Sequence, residues 1–326
     1  MHEPGRSAFK QGLRVIPEAA FEGCDKLTGV LLHEGLHFIG DYAFGNCRSL
    51  QSVKLPSSVT KLDGWAFYGS GLIEVHLKEG LQVIGNYAFA DCTVLRSVTI
   101  PSTVTKLGIY SFAGCSNLSE VVFQSGKRLL NQEFVHCGYH REEQLLDREA
   151  LDEMLFEEMH DGRMGFAFRG CSVTTLKISI SWAVNERMVR LPRQCKVSVE
   201  RRIRNLRRLR LLQDGNVLAC IPVVRMAPGV EAEDESEDEA ENVTYKVRDS
   251  NHETARSLYQ VLQLIAFHEL KESSIAIELA MWKSRIDEGT RFSRAECRDP
   301  IPDPAKSLIM EYGGFAGFLE PVIEGA

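Results

Sequence analysis

Residues 41–72 read DYAFGNCRSLQSVKLPSSVTKLDGWAFYGSGL, and the end of this stretch repeats its beginning. Phe44 and Cys47 return as Phe67 and Ser70, and Leu50 returns as Leu72. The same phrase recurs on either side, in EAAFEGCDKL, NYAFADCTVL and YSFAGCSNL. It places Phe21, Phe44, Phe67, Phe89 and Phe112 at intervals of 22 or 23 residues. Phe134 follows in QEFVHCG, and Phe168 in FAFRGCSVTTLKI. A cysteine stands three places after each ring, at Cys24, Cys47, Cys92, Cys115, Cys137 and Cys171, and Ser70 is the exception. A fixed period of this length is the signature of stacked repeats.

Between the rings runs a second pattern, L-x-x-V-x-[LI], as in Leu50–Val53–Leu55 and Leu95–Val98–Ile100. A turn then opens at Pro56-Ser57 or Pro101-Ser102, a short apolar run follows, and Gly or Asp closes it. Apolar residues two or three apart beside β-branched ones, then Pro or Ser, then Gly, predict two very short strands joined by tight turns. A unit this small cannot bury its own apolar positions, whereas stacked units align them into continuous ladders. The expected ladder comprises Phe21, Phe44, Phe67, Phe89, Phe112, Phe134 and Phe168, beside Cys24, Cys47, Cys92 and Cys115. The thiols fit as small buried apolar groups.

The motif L-x-x-V-x-L-P-x-x-V-T-x-L-G-x-x-A-F-x-G-C-x-x-L resembles the BspA-like (treponema-type) leucine-rich repeat family, well over residues 9–125 and poorly over 126–180. The resemblance implies a curved, β-rich solenoid used as a binding surface. The block HELKESSIAIELAMWKSRIDE with ECRDPIPDPAKSLIMEY resembles the C-terminal region joined to such repeats in diatom proteins, and brings no activity with it.

The expected fold is mainly a β solenoid of 22–23-residue leucine-rich repeats followed by an α-helical C-terminal region, α+β overall. Residues 1–180 form the solenoid, with an amphipathic helical insert at about 139–164 that either binds something or covers ladder surface. Residues 181–226 form a basic helical segment, because Val199, Ile203, Leu206 and Leu209/Leu212 fall at helical spacing. Residues 227–245 form a disordered acidic linker. Residues 246–326 form a helical region with stripes at Ala255–Ala266 and Ile275–Ile286, and a third helix begins at Asp303-Pro304.

Charge is polarised. The net −7 hides eight acids and no base in 231–241, and ten Arg/Lys against one acid in 187–210. Arg201, Arg202, Arg204, Arg207, Arg208 and Arg210 could meet phosphates, which makes phosphate or RNA binding the alternative function. Otherwise these arginines are solvated or face acids of the chain. The acidic run cannot fold alone, and Ser236, followed by three acids, resembles an acidophilic kinase site. The nine cysteines, without a C-x-x-C pair, read as reduced thiols. With no secretory signal visible at the start, an intracellular location, cytoplasmic or nuclear, is the expectation unless the N-terminus is truncated. No apolar run of membrane length exists.

A P-loop, a nucleophile elbow and an H-E-x-x-H helix are all missing. Neither an enzymatic activity nor a cofactor or metal is therefore expected. The expected role is a non-enzymatic scaffold for a protein partner of unknown identity. Its contacts would come from outward side chains of the strand ladder, namely Lys54, His76, Thr99 and Val122.

Overall fold

The computed structural model describes residues 6–8, 12–137, 145–160, 164–226 and 244–287. It forms two compact units. The first comprises Met1–Gln132, Gln144–Ser179 and Ala219–His252, and the second Glu133–Glu143, Ile180–Leu218 and Glu253–Ala326.

In the first unit, strands of three or four residues alternate with strands of two. In chain order they are β1 (Arg6–Ala8), β2 (Val15–Ile16), β3 (Gly29–Leu31), β4 (Phe38–Ile39), β5 (Ser52–Lys54), β6 (Lys61–Leu62), β7 (Glu74–His76), β8 (Val83–Ile84), β9 (Ser97–Ile100), β10 (Lys106–Leu107) and β11 (Glu120–Phe123). The longer strands β1, β3, β5 and β7 pair in parallel, as do the short β2, β4, β6, β8 and β10. The register advances by one repeat, so Val53 faces Val75 and Lys61 faces Val83. Each strand is too short to persist alone. It survives because its valine or leucine is buried, as at Val53, Leu62, Val98 and Leu107, while neighbouring side chains point to water.

The ring-bearing turn supplies a third ladder along the stack. The amides of Phe21, Phe44, Phe67 and Phe89 donate to the carbonyls of Ala43, Ala66, Ala88 and Ser111 on the next coil, at 2.7–2.9 Å. The rings themselves stack at 5.1–5.3 Å, within 11° of parallel, from Phe21 to Phe112. Burial of such a side chain contributes roughly 1.5–3 kcal/mol, and each ring pair about 0.5–1.5 kcal/mol more.

The ring that follows Phe112 is Phe168, at 5.2 Å and 13°, and not Phe134. QEFVHC winds into a short helix, so Phe134 is buried as a helical residue of the second unit. Spacing alone cannot separate a degenerate repeat from a helical detour of similar length.

Each thiol closes the turn of the coil before its own. Cys47 donates to the Phe21 carbonyl at 3.0 Å, Cys92 to Phe67 at 3.2 Å, Cys115 to Phe89 at 3.1 Å and Cys171 to Phe112 at 3.0 Å. Ser70 instead donates to Phe67 within its own coil at 2.7 Å. Cys24, in the first coil, is exposed.

A carboxylate clasp tightens the Pro-Ser turns. Glu34 accepts hydrogen bonds from the Ser57 and Ser58 amides and the Ser57 hydroxyl, all at 3.1 Å. Glu79 holds Ser102 and Thr103 in the same way at 2.9–3.2 Å. The Ser57 amide leads in lowering the Glu34 pKa. Burial alone would raise Glu79, but the donors of Ser102 and Thr103 outweigh it and its pKa is lowered too.

The segment after β11 departs from the repeat. It contains α1 (Gly126–Leu129), α2 (Gln132–Cys137), α3 (Arg148–Leu155) and an antiparallel pair, β12 (Phe156–Glu158) with β13 (Met164–Phe166). The expected helix over 139–164 is thus a helix of eight residues followed by a strand, with 139–144 and 161–163 lying outside the described residues. Asp147 caps α3 by accepting from the Ala150 amide at 3.1 Å. The helix packs against β10 and buries Leu151, Met154 and Leu155. Lys106 on β10 reaches Glu157 at 2.7 Å. The short-strand sheet ends at β10, so the insert covers its open edge. The longer-strand wall continues past it, through β14 (Thr175–Ser179) in parallel with β11.

The second unit contains α4 (Ser181–Met188), α5 (Arg193–Asn205) and β15 (Leu209–Leu211). The expected helix over 181–226 stops at Asn205. Asp214-Gly215 turns the chain, with the Leu212 amide donating to Asn216 at 2.8 Å, and β15 and β16 (Val217–Met226) are strands. A Gly at positive φ following Asp is a hairpin signal, here φ 85° at Gly215. β16 begins in this unit and ends in the first, where β17 (Thr244–Val247) pairs antiparallel with it, so the region after the acidic run opens with a strand. The two stripes expected on separate helices lie on one helix, α6 (Glu253–Asp287), whose 35 residues include neither Gly nor Pro to stop it. The Asp303-Pro304 helix, the linker core and Ser236 lie outside the described residues.

Replacing Phe67 by Ala should lower the unfolding free energy by about 3–5 kcal/mol, read from urea denaturation. The clasp makes a second expectation. Because both carboxylates have folded-state pKa values below the ordinary 4.5, their contribution is complete above that value and lost as pH falls through the depressed range. A Glu34→Gln/Glu79→Gln variant should have a lower denaturation midpoint than the parent near about pH 6, and the gap should close in acid.

Candidate protein-docking face

The outward side chains of the longer strands fall into rows set by the parallel register. Lys54 lies opposite His76, and Thr99 opposite Val122, which in turn lies opposite Lys177. Lys54, His76 and Thr99 are exposed and Val122 half-buried. Thr99 and Val122 therefore share a row on one sheet, and Lys54 and His76 share a row on another. Leu31, 56% exposed, extends the latter at the other end.

Beside these pairs lie Ser52 with Glu74, and Ser97 with Glu120. Glu74 lies 3.5 Å from His76, and Lys177 is hydrogen-bonded to Glu120. Charges of both signs alternate with hydroxyl and apolar groups. The backbone below is held in hydrogen-bonded ladders, so the face is rigid.

A second aromatic stack escapes the sequence reading. Two residues before Phe44, Phe67, Phe89 and Phe112 stand Tyr42, Trp65, Tyr87 and Tyr110. All four have positive φ, 51–55°, a region where non-Gly backbone costs roughly 1–3 kcal/mol. Two things offset the strain. Their amides bond the next coil, as Trp65 donates to Asn86 and Tyr87 to Ile109, each at 2.9 Å. Their rings also stack at 5.1–5.3 Å up to Tyr87, with Tyr110 turned edge-on at 5.4 Å. Arg169 covers the far ring, its carbon 5.2 Å from the Tyr110 centroid and its guanidinium donating to the hydroxyl at 2.7 Å. The signal was present as aromatic residues repeating in phase with the phenylalanines. Burial, then the neighbouring Tyr110, raises the Tyr87 pKa; burial, then Asp63 and Glu18, raises that of Asp41.

The arginine segment is divided. Arg208 pairs with Glu253 at 2.6 Å and Arg202 donates to Gln260 at 3.0 Å, both on α6. Arg204 pairs with Glu200 one turn back along α5 at 3.3 Å. Arg201, Arg207 and Arg210 are exposed. Burial pushes the Cys47 thiol up to about 11, far from the reactive thiolate range. Among the described residues no three His, Cys, Asp or Glu side chains gather as a metal would require. Among those residues, too, no helix is long and apolar enough to cross a membrane.

Against known proteins, residues 14–140 match the family described as "BspA type Leucine rich repeat region", in six copies. No curated protein matches. Among solved structures the chain is similar to the T. pallidum leucine-rich repeat protein, with 28% identity over 36% of this chain and 58% of that one, at a TM-score of 0.35. It is also similar to a leucine-rich repeat protein from Bacteroides ovatus, with 30% identity over 36% and 33% and a TM-score of 0.34. A third, from Eubacterium ventriosum, has 27% identity over 38% and 33% and a TM-score of 0.36. The chain thus spans only part of each of these proteins. The stretch from residue 14 to 140 thus matches a BspA-type leucine-rich repeat region, and up to β11 it has that region's short parallel strands and recurring coil.

Proposed function

We propose that this protein is a non-enzymatic scaffold that docks a protein partner on the outward face of its longer strands. The observation that carries this reading is the outward pairs Lys54 with His76 and Thr99 with Val122, which present mixed chemistry on backbones fixed by hydrogen bonds. A rigid face loses little conformational freedom on association, so modest contacts yield net affinity. Alternating signs suit a protein surface better than a polyanion, which calls for a single sign. The alternative, phosphate or RNA contact through 187–210, has less support, because Arg202 and Arg208 turn toward α6.

The test is quantitative affinity purification from the native organism with the parent and a Lys54→Glu/His76→Glu/Thr99→Glu variant, followed by binding isotherms on the proteins recovered. The variant should keep its melting temperature and lose at least about tenfold in affinity for a partner that the parent binds, as expected for like-charge repulsion at an interface. Equal binding by both would remove the strand face from the interface. Binding to RNA that weakens steeply with salt, and vanishes in an Arg201→Ser/Arg207→Ser/Arg210→Ser variant, would favour the alternative.

A further inference from the structure

One coil is shorter than its neighbours. Between the thiol and the next leucine the other coils carry two residues, as in Cys47-Arg-Ser-Leu50, Cys92-Thr-Val-Leu95 and Cys115-Ser-Asn-Leu118. The third coil carries one, Ser70-Gly71-Leu72, and it is also the coil without a cysteine. Its corner, Gly69-Ser70-Gly71, has almost no side chain. The Gly71 amide is drawn onto the Cys47 carbonyl at 3.1 Å, and a Cβ at Gly71 would lie 1.9 Å from the Arg48 carbonyl oxygen. The corner therefore sinks below its neighbours and cannot be refilled by a side chain at that position.

The result is an open groove of about 540 Å³ along the first unit. Gly69, Ser70 and Gly71 form part of its lining. Arg48 contributes from the coil before and Arg96 from the coil after. Both guanidinium side chains are exposed, and among the described residues neither has a carboxylate partner. The acid in the lining, Asp91, is engaged by the Tyr68 hydroxyl, whose pKa it raises. Ile73 and Val94 add apolar surface, 43% and 40% exposed. Gln51, Ile73 and Arg96 sit immediately before β5, β7 and β9, so the groove opens beside the strand rows.

We infer that this groove is an acidic-peptide site: it takes a carboxylate of a partner's extended segment between Arg48 and Arg96, and an adjoining apolar side chain against Ile73 and Val94. Arginine binds carboxylate through paired, charge-assisted hydrogen bonds, and a free pair on either side of a side-chain-poor floor admits such a group without displacing protein. The inference rests on the proposed docking function and gives it a partner chemistry.

The experiment uses the full chain, labelled with ¹⁵N, and two synthetic peptides: a five-residue Glu-Leu-Glu-Leu-Glu and its Gln-Leu-Gln-Leu-Gln counterpart. The acidic peptide should move the amide signals of Gly69, Gly71 and Thr93, and the neutral one should not. Arg48→Glu/Arg96→Glu should weaken binding at least about tenfold, consistent with charge-assisted contacts. So should inserting one serine after Gly71, which restores the length of the other coils. The Lys54→Glu/His76→Glu/Thr99→Glu variant should bind the peptide within about twofold of the parent, so failure of the groove and failure of the strand face are told apart. No binding by about 1 mM peptide, shifts elsewhere on the chain, or affinity indifferent to both arginines would overturn the inference. So would displacement of the peptide from those amides by single-stranded RNA at lower concentration, which would make the groove a polyanion site.

Discussion

Everything in the first unit depends on keeping successive coils in step, so that the ring of one lies flat on the ring of the next. Phe44 sits 5.3 Å from Phe21 and 5.2 Å from Phe67, each pair within 9° of parallel. The rings alone do not set that register. It is fixed by amides that donate along the stack beside them, by thiols that donate back to the previous coil's carbonyl, and by glutamates that hold the turns of the next. Each device links a coil only to its neighbours, which makes the unit quasi-one-dimensional. Local hydrogen bonds thereby carry a long-range order that strands of two or three residues could not.

Such a stack must end somewhere, and its two walls end differently. The short-strand wall stops at β10, where α3 and the Lys106–Glu157 pair cover the exposed edge. The long-strand wall passes the insert and continues from β11 into β14, and the ring column continues from Phe112 into Phe168. The insert therefore replaces one side of a coil while the other two sides resume. That arrangement explains why its apolar residues, Leu151, Met154 and Leu155, are buried, and it favours the covering role over the binding one.

How much was legible in the sequence follows from where the information is local. The coils were readable because Phe, Cys, Val and Pro each recur at a spacing that only stacking satisfies. The exposure of Lys54, His76 and Thr99 follows from alternation along short strands whose central residue is buried. The Tyr42–Tyr110 stack was overlooked because its members change identity from coil to coil, and because bulky residues at positive φ contradict the usual preference. Phe134 misled because a helix and a degenerate coil can span the same number of residues. Leu209 and Leu212 continued a helical period by coincidence. The turn at Asp214-Gly215 overrode it, since a hairpin forms locally whatever the periodicity of the side chains before it.

Regularity itself then becomes informative. In a stack whose coils are held by the same few interactions, a departure survives only where the neighbouring coils tolerate it. The third coil gives up both its cysteine and one residue, yet its ring column is undisturbed, with Phe67 as close to Phe89 as to Phe44. Ser70 donates to the Phe67 carbonyl, which also accepts from Cys92, and stays within 3.3 Å of Cys92, so the hydroxyl joins the next coil's contact instead of repeating the thiol's bond to the coil before. What remains of the change is on the outside, as a floor without side chains between two arginines. A ring column that holds its spacing while the exterior is reshaped is what a repeat would retain if the exterior, and not the packing, had use for the difference.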